Sequence, residues 1–528
     1  MGRMTRRLAA LLAVTVLAVT ACGSGDSGSA SSDGSSNKGD ESGQPTPGGD
    51  ITWLTTGEPV SLDSKSGPSV YAGIYLGIYD RLMHMDSENE VVTPGMAESL
   101  TDDSGDATEW TLKLRPDVQF SDGTPLNAEA VKFNWDRYLD PATAAPVRAT
   151  LASFTGWKVV DDLTLSISIP YSRADLPNDL ATTSLGLISS PAAVKAAGES
   201  YGTSPETTVG AGPFVVAEWQ PGDHITLKKN AEYWDSKLPY LDSVTFKPVG
   251  DPAQQADAVL TGAADVGWLA SVNPEITRLR DAGMSIFSAP PTQVLQITFN
   301  SGTKPFEDER VRKAIALATD LDKLSENVQQ GLSSPAHTWY AESSPYFNKD
   351  VVQKTNDLEA GQALIDDYLK ANGGQIKFTF VANEATRPLS VAIQQQWSRL
   401  DGVEVELEVL QTQAFLERRN TSEFQAILST SPQNTIDGFF QMASTNGGQN
   451  WSNISDPALD KVLEESRALS DPEEKKAAFT EITSQILDKQ YWLPIEHFEG
   501  WTIATPKVHG IEMFDFRQGL ASSAWLEK

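Results

Sequence analysis

Residues 110–137 read WTLKLRPDVQFSDGTPLNAEAVKFNWDR. Trp110, Leu112 and Leu114 alternate with Thr111, Lys113 and Arg115, the period-2 pattern of a half-buried strand. Arg115-Pro116-Asp117 ends it. A short second strand, Val118 to Phe120, is expected next. Ser121-Asp122-Gly123-Thr124-Pro125 then makes a turn, with Gly where positive φ costs least. Asn127 offers a side-chain oxygen as a helix N-cap, and Val131, Phe133, Asn134 and Trp135 follow on a helical face.

Two further stretches carry comparable detail. In 209–234, VGAGPFVVAEWQPGDHITLKKNAEYW, Gly210, Gly212 and Pro213 break the chain before a strand from Phe214 to Trp219. Pro221-Gly222-Asp223 turns it into a second strand at Ile225 to Lys228, and Asn230 and Tyr233-Trp234 close the unit. In 294–321, VLQITFNSGTKPFEDERVRKAIALATDL, a strand ends at Phe299-Asn300 and a helix follows Pro305-Phe306. Glu307, Asp308 and Glu309 fall in its first turn, where carboxylates suit the helix dipole. Val311, Ala314, Ile315 and Ala318 repeat at helical spacing. Trp157 to Ile169 has the alternation of a hairpin. Helices at 358–369 and 389–400 alternate with strands at 376–381 and 403–410, as in a βαβ domain. Asp456-Pro457 and Asp471-Pro472 each place a cap before Pro at the first helical position.

The three long stretches, in order, resemble the signature of extracytoplasmic solute-binding proteins of family 5, the peptide and nickel class of importer receptors. Glu58-Pro59-Val60-Ser61-Leu62-Asp63 is similar to that family's Pro-x-x-Leu-Asp-Pro stretch, with Ser64 in place of the last Pro. Gly262 to Val266 is similar to its Gly-x-x-Asp turn. Ala130 stands where the family has Asp.

The N-terminus points to a compartment. Arg3, Arg6 and Arg7 precede an apolar run from Leu8 to Val19, too short to span a bilayer comfortably. The run ends at Val19-Thr20-Ala21-Cys22, which resembles a bacterial lipobox. Residues 1–21 are expected to be a lipoprotein signal peptide, and Cys22 the site of lipid attachment. Residues 22–49, mostly Gly, Ser and Asp after the cysteine, are expected to be a disordered tether reaching about 30 Å.

The chain has 528 residues, 40% hydrophobic and 21% charged, with a net charge of −30. Losing Arg3, Arg6 and Arg7 takes that charge to −33. Such an acidic surface argues against nucleic acid as a partner. Cys22 is the single cysteine, so no internal disulfide can form. No GxSxG, HExxH, P-loop or CxxC occurs, and the five histidines lack metal-ligand spacing. No cofactor, metal or catalytic residue is expected. Two alternatives stay open. One is a secreted hydrolase of peptides or glycans, whose two carboxylates only the fold would bring together. The other is a purely structural surface lipoprotein.

The resemblance implies an α/β, two-lobed periplasmic-binding-protein-like fold of type II, the large cluster with an extra subdomain. One lobe would comprise 50–77, 171–285 and 495–528, the extra subdomain 78–170, and the second lobe 286–494. It implies a monomer that captures a small solute by hinge closure and delivers it to the permease and ATPase subunits of an ABC importer.

The resemblance also implies a site. Ser69, Val70 and Tyr71, and Gln293 with Val294, match ligand-contact segments. In Phe424 to Phe440, FQAILSTSPQNTIDGFF, Leu428, Ser431 and Asn434 stand where peptide-binding relatives carry Arg, Trp and an ammonium-binding Asp. Thr412 replaces another pocket Trp. Asp437 is a substitute acid for an ammonium. Ser429, Thr430, Ser431, Gln433 and Asn434 suit a neutral hydroxylated ligand such as an oligosaccharide. Trp339 and Trp451 are candidate sugar platforms.

Overall fold

The computed structural model describes residues 44–527 apart from 69–70, 87–90, 271–274, 290, 292, 432–434, 499 and 515–517. The signal peptide, Cys22, the tether as far as residue 43, Ser69, Val70, Gln433 and Asn434 therefore lie outside the described residues. The fold takes hold of the chain earlier than its composition suggests. The Thr46 hydroxyl donates to the Leu526 carbonyl at 2.6 Å, and the Gly48 N–H to the Tyr240 carbonyl at 2.7 Å.

The quoted stretch forms strand Glu109–Leu114 and helix Ala128–Leu139. Between them the expected strand at 118–120 is absent. Its place is taken by a tight loop closed by a single bridge, Gln119 to Pro125. The Phe120 N–H donates to the Thr124 carbonyl at 2.9 Å across a turn in which Gly123 has φ 80°. Two residues are too few to repeat a ladder before Gly123 reverses the chain. Asn127 caps the helix, accepting from the Ala130 N–H at 3.0 Å. Val131, Asn134 and Trp135 are buried and Phe133 is half-buried. The strand lies in a four-stranded antiparallel sheet, ordered Ala97–Asp102, Glu109–Leu114, Thr164–Ser168, Gly156–Asp161.

Two larger sheets carry the rest. The first has seven strands, ordered Ser285–Phe287, Gly500–Ala504, Val266–Ala270, Asp50–Thr55, Ser243–Pro248, His224–Lys229, Phe214–Gln220. Its centre is parallel: Asp50–Thr55 runs alongside both Ser243–Pro248 and Val266–Ala270. The second has six strands, ordered Ser334–Pro335, Trp492–His497, Val294–Phe299, Ala426–Thr430, Ile376–Asn383, Val403–Leu410. Its last three are mutually parallel, and helix Arg387–Trp397 makes the crossover of a βαβ unit.

Alternation decides which side of the second sheet is core. Leu295, Ile297, Phe299, Ala426, Leu428, Phe378 and Phe380 point one way, onto Val311, Ile315, Leu324, Ile393 and Trp397 of the covering helices. Those helices begin as their caps dictate. Asp308 itself caps Glu309–Leu317, so Glu307 lies outside the first turn expected to hold it. Asp456 and Asp471 cap the two late helices, Pro457–Ser466 and Pro472–Asp488.

The four-stranded sheet is fixed to the seven-stranded one by buried polar links. The Ser64 hydroxyl lies 2.6 Å from the Tyr138 phenol and 2.5 Å from the Ser189 hydroxyl. Arg137 pairs with Asp63. Asp80 is a hub. It accepts from the Arg81 N–H at 2.7 Å, the Tyr233 phenol at 2.7 Å and the Trp234 indole at 2.8 Å, and lies 2.7 Å from His84 Nε2. Burial works to raise the Asp80 pKa, but the His84 charge and the hydrogen bonds outweigh it and hold the carboxyl at about 2. That hub explains why Tyr233-Trp234 closes the unit that contains it.

Candidate functional site

Ligands of open α/β sheets sit outside the carboxyl ends of parallel strands. In the first sheet those ends are Thr55, Pro248 and Ala270, and in the second Asn383, Leu410 and Thr430. The two sheets are joined by two chain crossings. One runs through 288–293, from Ser285–Phe287 to Val294–Phe299. The other runs through 498–499, from Trp492–His497 to Gly500–Ala504. Gly500 lies opposite Ala270, and His497 opposite Val294. Val294 in turn accepts from the Ser431 N–H at 2.9 Å, just past the end of Ala426–Thr430. Both crossings therefore leave from the carboxyl edges, and the two edges border one place.

The second sheet's contribution is a patch of uncharged polar groups. The Val294 N–H donates to the Ser431 hydroxyl at 3.3 Å. Gln296 pairs in register with Ser429, whose hydroxyl lies 2.9 Å from that of Thr298. Gln296 Nε2 donates to Thr298 Oγ1 at 3.2 Å, and Gln296 Oε1 has no hydrogen-bond partner among the described residues. Gln296, Thr298, Ser429 and Ser431 are all buried. Sequence reasoning did not pick out Gln296 and Thr298. Their signal was the polar half of the alternation in VLQITF.

The structure thus brings Gln293 and Val294 beside Ser429, Thr430 and Ser431, from opposite ends of the second body. Alternation divides the last three. Thr430 pairs with Leu295 on the helix-covered side, and Ser429 and Ser431 share the other face. Leu428 belongs to the core, so it presents no pocket position. Thr412 begins helix Thr412–Asn420 at the carboxyl end of Val403–Leu410.

On the first sheet's side, half-buried Tyr71 precedes helix Ala72–Tyr79, past the carboxyl end of Asp50–Thr55. Burial and the Glu58 charge raise its phenol pKa. At the second crossing, burial and then His337 repulsion lower the buried His497 to about 4, so it is neutral at pH 7.

Three expectations meet different surroundings. Trp339 is 2% exposed and packs against Phe439 and Trp492, with ring centroids 5.6 and 5.8 Å away. It is core, because its ring completes an aromatic cluster that the sequence could not assemble. Trp451 is half-buried under the Arg419 guanidinium, 4.1 Å from its ring. Asp437 has both carboxylate oxygens engaged, one by Arg173 at 2.6 Å and the other by Arg467 at 2.8 Å. An ammonium arriving there would have to share oxygens already held by two guanidinium groups.

Among the described residues, no group of three His, Cys, Asp or Glu is placed to hold a metal ion. No helix among them is long and apolar enough to cross a membrane.

Two sheets joined by a pair of crossings at their carboxyl edges define a two-lobed binding protein. The family model for bacterial extracellular solute-binding proteins, family 5 Middle, matches residues 91–453, and the chain belongs to that family. Glutathione-binding protein GsiB of Escherichia coli (strain K12) is 25% identical over 454 residues, covering 84% of this chain and 86% of the relative. Periplasmic murein peptide-binding protein MppA of the same strain is 24% identical over 480 residues, covering 86% and 88%. The solved structure of Escherichia coli MppA, a murein tripeptide binding protein, superimposes with a TM-score of 0.73 at 22% identity, covering 91% of this chain and 98% of its own. Oligopeptide-binding AppA from Bacillus subtilis, in complex with a nonapeptide, gives 0.73 at 20% identity, covering 92% and 100%. These likenesses make the fold the two-lobed periplasmic-binding-protein fold.

Proposed function

We propose that this chain is the solute-binding lipoprotein of an ABC importer, and that its solute is of the peptide class. The observation that carries the reading is the meeting of the two carboxyl edges at the paired crossings, with the Gln296–Thr298–Ser429–Ser431 patch on one side. The relatives named for glutathione and murein peptides support the peptide class. Tyr71 on the first lobe, and Gln293, Val294, Ser429 and Ser431 on the second, contact the solute. The family resemblance adds Ser69, Val70, Thr412 and Asn434 to these contacts.

The first lobe comprises 50–77, 171–285 and 495–528, the extra subdomain 78–170 and the second lobe 286–494. Solute touches both lobes only when they are closed, so binding shifts the population toward closure. The closed form then docks on the permease. Residues 1–21 are removed, and acylated Cys22 holds the body to the membrane through the tether.

The uncharged patch and the engagement of Asp437 favour a solute whose amino group is blocked or lies outside the pocket. Mass spectrometry of protein purified from its own host tests the proposal. One small peptide-class solute per chain, released unchanged on unfolding, is the expected result. Turnover of added peptides or oligosaccharides that survives repurification would contradict it.

A further inference from the structure

A set of six charged side chains, four of them buried and Asp179 and Lys475 half-buried, joins the segment 171–181 to the late helices of the second body. Leu176, Leu180 and Ala181 of this segment are part of the core of the four-stranded sheet. Arg173, 5% exposed, bonds Asp437 at 2.6 Å and Asp179 at 2.8 Å. Arg467, also 5% exposed, bonds the other Asp437 oxygen at 2.8 Å. Lys475 bonds Asp175 at 3.0 Å, and the Asp437 N–H donates to Asp175 at 3.2 Å. Three acids and three bases balance within the set, and the exposed Glu464 carboxylate lies 3.6 Å from Arg467 at its rim. The backbone joins in: the Ala174 N–H donates to the Arg467 carbonyl at 2.9 Å. The Arg467 guanidinium sits 3.9 Å from the Tyr171 ring and 4.1 Å from the Phe440 ring, one aromatic from each side of the divide.

The four-stranded sheet is fixed to the first large sheet through Ser64, Asp63 and Asp80. The network therefore spans the same divide as the two crossings. The crossings are covalent and can twist. The network is non-covalent, buried at its centre and composed of bonds that fail together, since separating one partner leaves an unpaired charge. Arg467 adds cation–π contacts to rings on both sides.

We infer that Arg173, Asp175, Asp179, Asp437, Arg467 and Lys475 form a clasp that holds the two lobes in the arrangement seen here without help from solute. A clasp of this kind sets the population of that arrangement before any solute arrives, and apparent affinity scales with the fraction of chains in the competent state. The same clasp explains why Asp437 is held between guanidinium groups. The inference rests on the two-lobed fold and not on the peptide class, so the solute reading can fail without it.

Distances between spin labels test it in dialysed full-length protein with no added solute. The labels sit at Val160→Cys on the four-stranded sheet, 64% exposed, and at Lys461→Cys on helix Pro457–Ser466, in a Cys22→Ala background. The otherwise unaltered chain should give one narrow distribution. Arg467→Ala should broaden it and shift it to longer distances. Lys475→Asp, at the more exposed rim, should do the same by opposing Asp175. Adding Asp175→Lys to Lys475→Asp reverses that pair and should restore the narrow distribution, which a general folding defect would not allow. If Lys475→Asp leaves the distribution unchanged, or the reversed pair fails to restore it while the unfolding midpoint is retained, the clasp is overturned.

Discussion

The Phe498 backbone N–H donates to the Gln293 carbonyl at 2.9 Å. This bond ties one crossing to the other, so the two connections between the large sheets run side by side. The paired crossings are where the proposed closure would bend or twist the chain. The neutral patch begins one residue beyond Gln293, at Val294, so the proposed closure would change what Ser429, Ser431 and Gln296 face.

The patch itself can be probed. Gln296→Leu removes a buried amide whose Oε1 has no partner among the described residues. One lost hydrogen bond to a bound solute corresponds to about 1 kcal/mol, roughly a fivefold rise in Kd. The unfolding midpoint in urea should stay the same or rise, because an unpaired buried acceptor is removed. An unchanged Kd for a bound peptide would take Gln296 out of the site.

Stability at low pH should depend on His497. Its folded value of about 4 lies below the ordinary 6.5. Its contribution is therefore fully present above pH 6.5 and is lost as pH falls through 4, by about 3 kcal/mol in total. Urea unfolding followed from pH 7 to pH 4.5 should show the decline, and His497→Gln should flatten it. Equal slopes in both proteins would contradict the assignment.

Asp80→Asn should cost about 3 kcal/mol, because the charge-assisted bonds from Arg81, Tyr233, Trp234 and His84 lose their common anion. With the carboxyl held at about 2 against an ordinary 3.8, this stabilisation is present above pH 3.8 and lost as pH falls through 2. Equilibrium unfolding at pH 7 checks the loss. A midpoint equal to that of the unsubstituted protein would show that the hub is not stabilising.

Much of the architecture was legible because its signals are local. Asn127, Asp456 and Asp471 are caps in sequence and caps in the structure. The strand from Val403 to Leu410 has the predicted ends. Val118 to Phe120 misled because its apolar ends suggest a strand, while Gly123 closes the loop too soon for a ladder. The site was legible only in part. Ser429 and Gln296 pair across 133 positions, and register across a sheet is not written in either strand alone. The engagement of Asp437 was invisible for the same reason. Arg173 lies 264 residues away and has no motif that ties it to Asp437.

Trp339→Ala should destabilise the chain by about 4 kcal/mol by opening a cavity between Phe439 and Trp492. Trp339→Phe should leave the Kd for a bound solute unchanged. A Kd raised tenfold by Trp339→Phe would restore the ring to a binding role.

Cys22→Ala should leave the protein unprocessed or released from the membrane. Mass spectrometry of the membrane fraction should find diacyl or triacyl mass on the N-terminal peptide of the unsubstituted protein. An unmodified Cys22 there would contradict the anchor.

Calorimetric titration of the purified chain tests the central claim most directly. Glutathione, tri- to pentapeptides, their N-acetylated forms, and cello- and xylo-oligosaccharides would be titrated in turn. The account predicts one site per chain for a member of the peptide series, with affinity retained or improved on N-acetylation. Binding of the oligosaccharides alone, or tight binding of free peptides that acetylation abolishes, would contradict it.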